Sequence, residues 1–166
     1  MKPIFGLLGL KRMELMAGSV GAISTDKYWT VCEQALLWKA EWLKKWEEEK
    51  LDVLLFPGGA LPALPNGRSA ELSFSCSYTF LFNLLNFPAG CVPVTLTKKE
   101  EERYPSIFND PVSRAAAETM KDSAGLPAGV QVVALPHSDE LALRVMKELE
   151  SLTQFKQYHQ VNPVPL

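Results

Sequence analysis

The chain opens on an apolar stretch. Residues 1–16 (MKPIFGLLGLKRMELM) predict a short, strongly apolar helix, and the small residues of 17–24 (AGSVGAIS) predict a loop. A long helix is predicted from Thr25, which can cap it, with Asp26 at the positive end of the dipole. Tyr28, Val31, Ala35, Trp38 and Trp42 recur at helical spacing and form one stripe. Residues 44–50 (KKWEEEK) read as the solvated end of that helix. Trp29, Trp38, Trp42 and Trp46 are assigned to core and interface packing rather than to a cofactor box.

A short apolar run, Leu51 to Phe56, predicts a buried strand that ends in the turn Pro57-Gly58-Gly59. Residues 57–69 are rich in proline and glycine and predict an ordered loop. Residues 70–86 predict a buried helix carrying Phe74, Tyr78, Leu81 and Leu85. Ala89 to Leu96 predicts a strand that Pro93 confines to an edge or a bulge. The charged residues 98–103 predict a surface loop, 110–121 a helix and 130–135 a further strand. Ser138 is expected to cap a last helix, with Asp139 and Glu140 in its first turn and Leu141, Val145, Leu149 and Leu152 on one face. The tail from Thr153 is polar and expected to fray. Strands alternating with helices predict an α/β or α+β architecture with a mixed β-sheet flanked by helices. Three strands make a small sheet for so many apolar helices, so the remainder of the sheet is expected elsewhere.

Composition narrows the function. The 166 residues are 47% hydrophobic and 22% charged, enough for a core. A net charge of -2 without a basic stripe excludes a nucleic-acid partner. Cys32, Cys76 and Cys91 lack CxxC spacing, and an odd number argues against a closed disulfide framework; reduced thiols in an intracellular protein are expected. His137 and His159 are too few and too far apart for a zinc site. No uncharged apolar run reaches the roughly 18 residues of a membrane span. Lys11, Arg12 and Glu14 interrupt what would otherwise resemble a signal peptide, so residues 1–16 fit a segment lying on a membrane surface better.

Two local patterns could carry chemistry. Gly18-Ser19-Val20-Gly21 nearly fits a nucleophile elbow, but the residues before Ser19 favour helix where the elbow needs a strand, and a flexible loop is the better reading. Gly58-Gly59 follows a strand and could aim backbone N–H groups at an oxyanion, although a plain turn is the commoner use of such a pair. There is no phosphate loop, dinucleotide fingerprint or metal motif, and no cofactor is expected.

Three stretches together say more: LDVLLFP at 51–57, YTFLFNLLNFPAGCVPVT at 78–95 and GLPAGVQVVALP at 125–136. Their order and spacing resemble the C-terminal half of amidase-signature enzymes, most closely the fatty acid amide hydrolases, over about Pro3 to Leu152. The resemblance implies a mixed sheet wrapped by helices in a serine hydrolase that cleaves amides with a Lys-Ser-Ser triad, the lysine acting as a neutral base. That triad lies in a glycine- and serine-rich region with no counterpart here, so no catalytic residue is assigned. The resemblance further implies that residues 70–85 line an acyl channel, with Ser73, Cys76, Ser77 and Phe80 as substrate-binding candidates. Val112 stands where the family often carries a bulky aromatic at the channel mouth. Ile4, Phe5, Leu7, Leu8 and Leu10, beside Lys11 and Arg12, align with the end of a membrane-docking cap.

The expectation is therefore a partial, fatty acid amide hydrolase-like amidase. Residues 1–16 form a membrane-docking segment, 17–152 the C-terminal part of an amidase domain and 153–166 a tail. The complete enzyme would hydrolyse a fatty acid amide to a fatty acid and an amine or ammonia, intracellularly at the endoplasmic reticulum or another endomembrane, with a homodimer as a possible assembly. This chain alone would be inactive. The alternatives are a non-catalytic paralogue that binds lipid or a partner, and a stand-alone hydrolase using Ser19.

Overall fold

Ser24, one residue before the expected cap, opens the long helix: its Oγ accepts the Lys27 N–H at 3.4 Å. The structure is a computed structural model, and it describes residues 14, 15, 17, 18, 21–105, 108 and 110–158. Helix α1 (Thr25–Glu48) leads into strand β1 (Val53–Pro57). A 3-10 turn (Ser73–Cys76) runs into α2 (Ser77–Leu85), then β2 (Ala89–Leu96), a second 3-10 turn (Lys99–Glu101), α3 (Pro111–Met120), β3 (Pro127–Ala134), α4 (Asp139–Thr153) and the short α5 (Phe155–Tyr158).

The strands form one sheet in the order β1-β3-β2, flanked by helices as expected, and every described pairing is antiparallel. The parallel pair that a mixed sheet needs is not among the described residues. Because side chains alternate along a strand, the register Leu54↔Val133, Phe56↔Gln131 and Cys91↔Gln131 puts these residues on one face. Val53, Leu55, Gly90, Val132 and Ala134 take the other. The first face packs on α1 and α2 through Trp46, Phe82, Leu85, Phe87 and Val133. The second packs on α4, where Val132, Ala134 and Ala142 are joined by Val145, Met146 and Leu149. Full burial of a side chain such as Phe82, Leu85, Val132 or Val133 stabilises the fold by about 1.5–3 kcal/mol.

Helix ends follow from local chemistry. Trp46 anchors the end of α1: its indole N–H donates to Leu51 O at 2.5 Å and its ring meets Phe87 edge-on, 5.7 Å between centroids. Asn86 adopts a left-handed conformation (φ 52°) and stops α2, its N–H reaching Asn83 O and Phe82 O. Asp110 caps α3 by accepting the Ser113 N–H at 2.7 Å, with Pro111 in the first turn.

Several expectations are corrected. The α1 stripe is mostly solvent-facing: Tyr28, Val31 and Trp38 are exposed, Trp29 is 65% exposed, and only Trp46 of the four tryptophans is fully buried. The helix expected at 70–86 is divided, its first turn being 3-10. β3 begins at Pro127, because Pro127 and Ala128 find partners in Leu96 and Thr95. Ser138 occupies the cap position of α4 but its side chain makes no capping bond. Leu152 is exposed, off the α4 apolar face. The tail does not simply fray after Thr153, since Phe155 is buried and α5 packs against β2. Pro93 behaves as expected, on an edge strand with a register shift between Pro93 and Thr95. Among the described residues no helix is long and apolar enough to cross a membrane.

Candidate functional site

Gln131 organises the region where the sequence motifs meet. Its position on the inner strand buries it, leaving 3% of its surface exposed. A buried amide needs partners, and its Nε2 donates to Pro57 O at 2.8 Å and to Tyr78 O at 3.0 Å. The end of β1 and the start of α2 are thereby held against the central strand. Beyond Pro57 the chain turns: Gly58 N–H donates to Gly129 O at 3.3 Å, and Ala60 N–H to Ser75 O at 3.0 Å. The Gly58 N–H is thus taken up by β3 and is not offered to an oxyanion.

Glycine is required here by close approach. A Cβ on Gly58 would lie 2.9 Å from Cys91 Sγ, and one on Gly129 would lie 2.8 Å from it. Cys91 is exposed as a residue, yet its sulfur is tucked against these two glycines, and burial pushes its thiol upward from the ordinary value.

Two adjoining clefts open around this turn. The first, of 370 Å³, is lined by apolar side chains including Leu61, Leu72, Phe74, Tyr78 and Val112, with Ser75, Ser77 and Tyr104 as polar neighbours. Its floor is the cluster of Leu72, Val112, Ala115 and Ala116, so it lies between the 3-10 turn and α3. The second, of 490 Å³, is lined by the 58–64 loop, Cys76, Cys91, Thr97, Glu101, Met120 and Gly129. Ala60, Leu61 and Ser75 border both. Two surface clasps hold the surrounding loops. Arg68 pairs with Glu71 at 2.7 Å and with Glu118 on α3 at 2.5 Å, which raises the guanidinium further. Glu102 accepts from Lys99 at 2.6 Å and from the Ala124 N–H at 2.9 Å, and both hold its carboxyl below the ordinary value.

The structure separates the candidate residues. Ser77 lines the first cleft and Cys76 the second, whereas Ser73 and Phe80 line neither, Phe80 lying exposed on α2. Val112 does line the first cleft, in the first turn of α3. Leu61, Leu72 and Tyr104 were not anticipated. For Leu61 the available signal was an apolar residue inside a proline-rich loop, where a solvated loop would be polar. The proposed membrane-contact residues Ile4, Phe5, Leu7, Leu8 and Leu10, and also Ser19 and His159, lie outside the described residues. His137 sits in a left-handed turn (φ 67°) before α4. Among the described residues no group of three His, Cys, Asp or Glu side chains could hold a metal ion.

A sheet with helices on both faces and the three ordered motifs gathered around Gln131 define the class, and family comparison agrees: the amidase family model matches residues 7–143, and the chain belongs to that family. Within it the chain is similar to fatty-acid amide hydrolase 1 of Sus scrofa, 37% identical over 147 residues that cover 86% of this chain and 25% of that protein. Fatty acid amide hydrolase 1 of Caenorhabditis elegans is 37% identical over 108 residues, 62% of this chain and 18% of the relative. An amidase of Gibberella moniliformis is 32% identical over 109 residues, 64% of this chain and 17% of the relative. The chain spans about a quarter or less of the length of these curated relatives.

Proposed function

We propose that this chain is the acyl-channel part of an amide hydrolase that acts on fatty acid amides. The observation that supports the reading is the apolar first cleft, walled by Leu61, Leu72, Phe74, Tyr78 and Val112 in a chain similar to fatty acid amide hydrolases. An acyl chain placed there gains about 0.8 kcal/mol for each methylene taken out of water. Ser75, Ser77 and Tyr104 give the cleft a polar side on which an amide head group can hydrogen-bond. The base and nucleophile of amide hydrolysis are not assigned to any residue of this chain. Residues 1–16, with apolar side chains beside Lys11 and Arg12, are proposed to contact the membrane from which a lipid amide enters.

The test combines a photoreactive long-chain fatty acid amide with a hydrolysis assay on the 166-residue chain. Labelling at Tyr78, Leu72 or Val112, competed by the unlabelled amide and unaccompanied by hydrolysis, is the expected result. Labelling confined to other surfaces would overturn the channel assignment. Turnover by this chain alone would place the nucleophile among its own serines.

A further inference from the structure

Gln154 turns the chain at the end of α4. It adopts a left-handed conformation (φ 46°), and its N–H donates to Glu150 O at 2.9 Å. The short α5 is thereby set apart from α4 and packs on β2, with Phe155 5% exposed. Between β2, α4 and α5 lies a cleft of 310 Å³. It shares no lining residue with the first cleft.

The lining of this cleft is amphipathic. Val92 and Phe155 are buried and apolar, Met146 adds an adaptable thioether, and Leu143 is an exposed apolar residue. The charged lining groups are Lys147 and Glu150 of α4 and Lys156 of α5. Lys156 Nζ pairs with Glu150 Oε1 at 2.8 Å. Lys147 has no ion pair among the described residues. One ammonium is therefore left over beside apolar side chains, a setting that complements an anion with a hydrophobic tail.

The strand beside the cleft argues against a peptide occupant. The bond from the Ala134 N–H to Pro88 O at 3.0 Å fixes the alternation of bonded pairs, so the backbone groups of Cys91 and Pro93 point away from β3. Pro93 has no N–H to offer and a register shift follows it, so an added strand finds no continuous ladder here. The volume of 310 Å³ lies at the lower end of the about 300–1,000 Å³ of ligand pockets, which suits one acyl chain and not the two of a phospholipid. We propose that this cleft binds a fatty acid as its carboxylate, the chain lying over Val92, Met146 and Phe155 and the head group meeting Lys147. The site is additional to the acyl channel. That its ligand is the acid released by hydrolysis rests on the amide hydrolase reading; the binding itself does not.

The experiment titrates the nitrogen-15-labelled 166-residue chain with decanoate, and separately with decanamide, and follows backbone amide chemical shifts. Decanoate should shift the amides of Met146, Lys147 and Phe155, and decanamide should bind there at least three-fold more weakly. Lys147→Met keeps an apolar stem and removes the charge. It should weaken decanoate about three- to five-fold, the scale of an exposed ion pair, and leave decanamide unchanged, a difference that a structural role for Lys147 would not produce. Leu143→Ser alters an exposed side chain and should weaken both ligands alike. Unchanged β3 amide shifts in each variant show that it is folded.

Equal binding of acid and amide at this cleft would overturn the proposal, as would decanoate binding indifferent to Lys147→Met, or decanoate shifts confined to residues of the first cleft such as Leu72 and Tyr78. Phosphatidylglycerol vesicles that bind through Lys147, with no response to decanoate, would assign the lysines to a membrane surface and also overturn it. Photoreactive amide labelling at Tyr78 or Leu72, measured on the Lys147→Met chain, reports on the acyl channel alone, so the two readings fail separately.

Discussion

The side-chain amide of Gln131 donates to the carbonyl oxygen of Pro57 at 2.8 Å, across from the central strand to the end of β1. The same nitrogen donates to Tyr78 O at 3.0 Å, so one buried group holds the strand end and the start of α2 together. Gln131→Leu keeps the volume and removes both bonds, leaving two carbonyls without this donor. The expected loss is about 2–4 kcal/mol, from two lost bonds and the desolvated acceptors they leave. Gln131→Glu is expected to be worse, because an ionised carboxylate facing two carbonyls has no proton to donate. Urea unfolding followed by circular dichroism checks both.

Glycines on this sheet should differ in how they tolerate a methyl group. At Gly129 a Cβ meets Cys91 Sγ at 2.8 Å and the Val92 backbone oxygen at 3.0 Å. A backbone atom cannot swing aside, so Gly129→Ala should cost about 1–3 kcal/mol. At Gly90 the obstruction is the far end of the Met146 side chain, which has other rotamers available. Gly90→Ala should therefore cost less than Gly129→Ala. Adding Cys91→Ala to Gly129→Ala should recover part of the loss but not all, because the contact with Val92 O remains. Thermal unfolding of the two single variants and the double variant measures this.

Much of the fold was legible because its elements carry strong local signals. The runs around Val53, Ala89 and Val130 are apolar and short, and each became a strand, although the first is not the buried strand expected, with Leu55 50% exposed. Pro93 announced an edge with a bulge, since proline cannot donate to an inner ladder. The apolar stripe of α1 was legible as a shared face, but periodicity does not report what covers that face. Only the C-terminal part of α1 reaches the sheet, through Trp42 and Trp46. The site was half legible. Ser77 and Cys76 border clefts, but the walls contributed by Leu61 and Val112 come from segments far apart in the chain, and only the folded register brings them together. Gln131 stood in a motif, yet nothing local indicated that its amide would bond to residues 74 and 53 positions away.

Cys91 should react slowly for a thiol that lies at the surface. Burial of its sulfur against Gly58 and Gly129 raises its pKa above the ordinary 9.0, so the nucleophilic thiolate is scarcer at neutral pH. Its alkylation by iodoacetamide should be slower than that of an unstructured peptide cysteine at pH 8, and its rate should still climb above pH 9. The sign for stability follows from the same shift. Below the unfolded thiol's pKa both states are protonated and nothing is lost. As pH rises through the range up to the folded pKa, the unfolded state ionises first and stability falls. Cys91→Ala should flatten that alkaline decline. Site-resolved mass spectrometry and unfolding at several pH values check the two halves.

Val112 offers the most direct control of the first cleft. It stands in the first turn of α3, 9% exposed, against Leu72, Ala115 and Ala116 while still lining the opening. Val112→Trp directs extra volume into a space of 370 Å³ that the fold leaves open, so the substitution need not displace the core behind it. Labelling by the photoreactive fatty acid amide should fall about ten-fold or more, equal to about 1.4 kcal/mol of lost binding. Stability should fall by about 1–3 kcal/mol, the range for added volume at a buried position, with the open cleft keeping the loss toward the lower end. Val112→Ala widens the cleft instead, and should shift the preference toward bulkier acyl chains at a cost of about 1 kcal/mol in stability for the lost methyl groups. If Val112→Trp left labelling unchanged while remaining folded, the acyl chain would not run past α3, and the second cleft, beside Cys76 and Cys91, would be the one to probe.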